Sequence, residues 1–133
     1  MSDMHPELAR LWIEKADNDV ITARQTLLLP DGPTDTVCFH AQQATEKALK
    51  ALMTCHGIAF PKIHDLVRLL DIALPLMPQL DDYRERFAEM SAYAVQTRYP
   101  AHWPSPGRDQ ALRAMAVAQE ILAMVRQHAA EQT

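Results

Sequence analysis

Only three of the 133 residues are glycine, aromatics make up 6% of the chain, and β-branched residues are sparse. A sheet needs such side chains to cover its pleated faces, and their scarcity argues against one. No run of 18 apolar residues occurs, so no helix of membrane-spanning length is expected. A basic surplus is missing too: Lys and Arg number 13 against 17 Asp and Glu, a formal charge of −4. A global field that draws in nucleic acid is thereby excluded, and any contact with RNA or DNA has to be local. Cysteine occurs only at Cys38 and Cys55. Seventeen positions apart on one helix, the two lie roughly 25 Å from each other, too far to be bridged. No signal-peptide pattern opens the sequence, and with two unbridged thiols the expected location is a reducing cytoplasm.

What remains is rich in Ala, Leu and Met, 48% hydrophobic in all, and favours helix. The length suits one domain, residues 1–133, with its core within about 6–128. His5-Pro6-Glu7 opens a first helix, since proline is tolerated and glutamate favourable in a first turn. Leu8, Leu11, Trp12, Ala16, Val20, Ala23 and Leu27 keep helical spacing until Pro30-Asp31-Gly32-Pro33. Thr34 or Asp35 is expected to cap a second helix that Gly57 ends. After a loop, His64-Asp65 starts a short third helix stopped by Pro75 and Pro78. A fourth runs from about Leu80 to near Arg98, ahead of Pro100. The segment YPAHWPSPG, Tyr99 to Gly107, is a loop, and Ser105-Pro106 with Asp109 start a last helix that reaches about His128. The expected fold is all-α, a four-to-five-helix up-and-down bundle.

The second helix carries the densest information. At about 100° per residue, Val37, Ala41, Ala44, Thr45, Ala48, Leu49 and Leu52 form one apolar side. The other side holds Phe39, Gln42, Gln43, Glu46, Lys47 and Lys50. Glu46 and Lys50 are i,i+4 partners worth about 0.2 to 0.5 kcal/mol on an open helix, but that pairing leaves the phenylalanine and the two glutamines unexplained. This stripe is expected to be covered by a second surface. Phe39, His40, Gln43, Lys47 and Lys50, with Tyr99 and Trp103 of the proline-rich loop, are the candidate groove for a nucleotide, RNA or protein partner, the aromatics suiting base stacking. His40 also fits a plain packing role. His64 fits helix capping.

The order Trp12, Ala16 and Asp19, then CFHAQQATEKALKAL, then Pro61 with His64-Asp65-Leu66, then Arg98-Tyr99-Pro100 resembles the HEPN domain family of prokaryotic helical proteins over about Pro6 to Val125. The resemblance implies a helical bundle that usually dimerises and is often encoded with a minimal nucleotidyltransferase partner, as in toxin-antitoxin pairs. Some branches are RNase toxins that use an arginine, four to six intervening residues and a histidine, paired across a dimer. Here Arg98 and His102 are the nearest counterparts, with Tyr99, Pro100 and Ala101 between them, a spacing that falls short.

Three functions follow as expectations. The first is a dimeric module that binds nucleotide or RNA and acts with a nucleotidyltransferase. The second is a metal-independent endoribonuclease, with His102 moving a proton at the 2′-hydroxyl and Arg98 stabilising phosphate charge. The third is a non-catalytic interaction bundle. Neither HExxH nor CxxC occurs, and glycine-rich phosphate loops, GxSxG and a dinucleotide fingerprint are missing, so no metal and no cofactor is expected.

Overall fold

A computed structural model of the chain describes residues 4–96 and 105–132. Five α-helices account for most of them: α1 (Pro6–Leu27), α2 (Thr34–Cys55), α3 (Leu66–Ala73), α4 (Arg84–Gln96) and α5 (Arg108–Glu131). The expected all-α bundle is what forms. α1 and α2 are an antiparallel hairpin, tied at its open end by the His5 amide donating to the Cys55 carbonyl. The connecting turn requires glycine: a Cβ on Gly32 would lie 2.0 Å from the Thr26 carbonyl oxygen. Gly57, at φ 68°, turns the chain out of α2 as anticipated.

α2 is the central element and packs against all four other helices. Its N-terminal end differs from the expected one. Pro33 occupies the capping position, no side chain caps the helix, and the Thr34 hydroxyl instead donates to the Pro106 carbonyl. That bond fixes the start of α5 beside the start of α2, and at the other end His56 and His128 meet. The two helices therefore run parallel, both contributing buried alanines such as Ala44, Ala48, Ala114 and Ala118 that permit close approach. α4 runs antiparallel to α5, with Tyr83 donating to Glu120 and Arg113 paired with Glu89.

Asp65, not His64, caps α3: its carboxylate accepts from the Val67 and Arg68 amides. The fourth helix also starts later than its apolar spacing implied. Pro78–Tyr83 is a 3₁₀ segment, which buries Leu80 before the chain widens into α4. Its expected end near Arg98 lies outside the described residues. α5 starts at Gly107, whose amide donates to the Gln110 side chain. No helix among the described residues is long and apolar enough to cross a membrane.

The core gathers Leu49, Leu52, Met53, Leu66, Leu69, Leu70, Leu80, Phe87 and Ile121, all fully buried. Leu49→Ala should therefore lower stability by about 2 to 5 kcal/mol. Leu112→Ala, at an exposed position, should cost less than about 1 kcal/mol. Urea unfolding of both variants checks the contrast, and equal losses would contradict this packing.

Candidate functional site

The polar side of α2 is two strips, not one. Gln42, Glu46 and Lys50 are buried, at 0%, 3% and 9% exposure, whereas Phe39, His40, Gln43 and Lys47 are half-exposed. The expectation that Lys50 lines the groove is thus corrected: the ammonium points into the protein. Its Nζ lies 3.0 Å from Glu46 Oε2 and 5.6 and 5.7 Å from the ring centroids of Trp12 and Phe60. Those two rings meet edge to face at 6.1 Å. α1 and the loop after α2 thereby close over the strip, and cation–π attraction offsets part of the cost of desolvating the ammonium.

Two buried carboxylates organise everything around them. Glu46 Oε1 is 2.8 Å from His64 Nδ1 and also accepts from Gln42, whose amide reaches the His64 carbonyl at 3.1 Å. Gln42 Oε1 accepts in turn from Gln43 at 2.7 Å. On the other flank Asp19 of α1, 8% exposed, takes His40 Nδ1 at 2.8 Å and Lys47 Nζ at 2.6 Å. An unpaired carboxylate at such depth would be costly, so each is matched by one ammonium and one imidazole.

The consequence for the surface is order. His40 and His64 both spend Nδ1 on a carboxylate, which leaves Nε2 as the ring nitrogen available for proton transfer or hydrogen bonding. Phe39 stands against His40 edge to face, with centroids 5.5 Å apart. The half-exposed strip thus offers an aromatic face, an amide and two held imidazoles. It is not a cationic strip, because Lys47 and Lys50 are matched by Asp19 and Glu46. Sequence periodicity brought out Phe39, His40, Gln43 and Lys47 but missed Asp19, Glu46 and His64 as their supports. The signal was the run of amide, acid and base at positions 42, 46 and 50, spaced as a second helical stripe.

Arg98, Tyr99, His102 and Trp103 lie outside the described residues. The flanks of that segment are fixed. Tyr93 of α4 reaches both Cys38 and Glu89, and Pro106 is bonded to Thr34, so the chain returns beside the first turn of α2. Burial pushes the Cys38 thiol up to about 11, which leaves it a packing group and not a nucleophile at neutral pH. Burial likewise raises Tyr93. Cys38 and Cys55 are both free thiols, and among the described residues no three His, Cys, Asp or Glu side chains converge to hold a metal.

The model of the HEPN domain family matches residues 9–128, nearly the whole bundle. The chain belongs to the HEPN domain family. It is also similar to TT1696 from Thermus thermophilus, known from a crystal structure, with 33% identity over 90% of this chain and 97% of that one and a TM-score of 0.72. No curated protein matches.

The buried pair makes a sharp test. Lys50→Ala leaves Glu46 facing only His64 and Gln42, and should destabilise by about 3 to 5 kcal/mol, the scale for breaking a buried ion pair. Lys50→Met together with Glu46→Gln removes both charges and should recover most of that loss in the same urea titration. If the double variant is no better than Lys50→Ala, the pairing is not what the helix depends on.

Proposed function

We propose that this HEPN protein is a dimeric module that binds nucleotide or RNA along the half-exposed strip of α2 and acts with a minimal nucleotidyltransferase partner, as in toxin-antitoxin pairs. The observation that carries the binding reading is the arrangement of Phe39, His40 and Gln43, held in place from beneath by Asp19, Glu46 and Gln42. An aromatic ring beside oriented donors and acceptors suits the face and edge of a base. Because the two lysines are already neutralised, affinity comes from stacking and hydrogen bonds, and phosphate contacts contribute little. The protein contacts have a separate support: Leu8 and Leu11, one turn apart on α1, are large apolar residues left exposed, and a second protein would cover them. The same leucines would serve the non-catalytic interaction bundle, which is what remains if no nucleotide or RNA binds.

Sedimentation at tens of micromolar should give twice the chain mass. Anisotropy titrations with a labelled single-stranded RNA should give saturable binding whose dependence on salt is shallow, with a slope of no more than about two. Phe39→Ala should weaken it by about 1 to 3 kcal/mol, the scale of one base stacked on a ring. A monomer that ignores RNA and nucleotides would end this reading.

A second reading, the metal-independent endoribonuclease, rests on the sequence pair Arg98 and His102 and on the family resemblance. Under it, RNA is cleaved in the presence of a chelator, and Arg98→Ala and His102→Ala each slow cleavage by at least about 10²-fold, the usual scale for a general acid or base. Cleavage unchanged in His102→Ala rules the pair out.

A further inference from the structure

At the end of the bundle where α2 and α5 finish, two imidazoles converge. His56 Nε2 and His128 Nε2 are 2.7 Å apart, with ring centroids at 5.0 Å and planes tilted by 53°. Both rings are half-exposed. Two neutral imidazoles at this distance share one proton, which obliges them to adopt opposite tautomers. Their Nδ1 atoms make no hydrogen bond to the protein among the described residues, so either ring can carry its proton there and turn a lone pair inward from Nε2.

The supports on each side are rigid. His56 is the capping residue of α2: its amide donates to the Met53 carbonyl, and the next two amides, of Gly57 and Ile58, return to Thr54 and Met53. His128 lies within the last turns of α5. Since the helices are parallel, their partial negative C-terminal ends meet here, and a cation between them is favoured.

We propose that His56 and His128 form a two-imidazole site for a divalent transition-metal ion, completed by water. With metal–nitrogen bonds of roughly 2.0 to 2.1 Å, two nitrogens at a right angle are about 2.9 Å apart, and at the tetrahedral angle about 3.4 Å. At 2.7 Å, with centroids 5.0 Å apart, the two Nε2 atoms face each other head-on, so both rings turn as well as part for their lone pairs to converge on one ion. For nitrogen ligands the general order of divalent affinities puts Cu²⁺ first. No third protein ligand is present among the described residues, so the ion keeps open positions and exchanges readily. The site is remote in function from the α2 strip and does not depend on the reading given to that strip.

The test uses the untagged full chain, stripped with chelator and dialysed. Calorimetric titration with CuCl₂, NiCl₂ and ZnCl₂ should give one ion per chain, strongest for Cu²⁺, and the spectrum of bound Cu²⁺ should carry the hyperfine pattern of two imidazole nitrogens. His56→Gln and His128→Gln should each weaken binding by at least about tenfold, while His5→Gln, at the neighbouring start of α1, leaves it unchanged. One-to-one binding that survives both variants places the ion elsewhere and overturns the proposal. So does a native protein that takes up no ion at millimolar concentration, in which case the two rings are a hydrogen-bonded pair and nothing more.

Discussion

A helix enclosed on nearly every side has to leave no charge unmatched, and that constraint on α2 governs the molecule. α2 carries Glu46, Lys47 and Lys50 in its middle, and the compensation comes from other segments: Asp19 and Trp12 from α1, Phe60 and His64 from the following loop. The need to satisfy Glu46 fixes where the loop crosses, because both the His64 ring and the His64 carbonyl are engaged there. The next residue, Asp65, then caps α3. Charge neutralisation in one helix thus sets the starting point of the next.

The same constraint decides what the surface offers. Lysines on a polar stripe would ordinarily draw phosphate, yet here the ammonium groups are held by carboxylates from beneath. Hydrogen-bonding direction and an aromatic face are left as the means of recognition. On the binding reading proposed above, recognition by this strip is a matter of shape and orientation more than of field.

Most of the fold was legible in the sequence because it depends on spacing and on breakers. The apolar period of α1 and α5, the stop at Pro30 to Pro33 and the turn at Gly57 all have local causes. The misread features have distant ones. Thr34 does not cap because Pro106, 72 residues on, accepts its hydroxyl proton. Lys50 is buried because Trp12 and Phe60 arrive from other segments, and no helical wheel of α2 contains them. His64 belongs to the α2 network for the same reason. The strip's exposed members were legible as a stripe, and their supports were not, since the carboxylate of Asp19 comes from a different helix.

The parallel seating of α2 and α5 joins positions separated by 72 residues at both ends, Thr34 with Pro106 and His56 with His128. The α1–α2 hairpin needs only a short turn to close, whereas this seam needs a large loop to close, and contacts with the smaller sequence separation form sooner. Loop-closure entropy therefore favours forming the hairpin before α5 is seated. On a ribosome, which delivers the chain from its N-terminus, the side of α2 that α5 covers stays open to solvent until α5 itself has been made. That seam is the surface the nascent chain must keep from other contacts, and its closure is the step that completes the bundle.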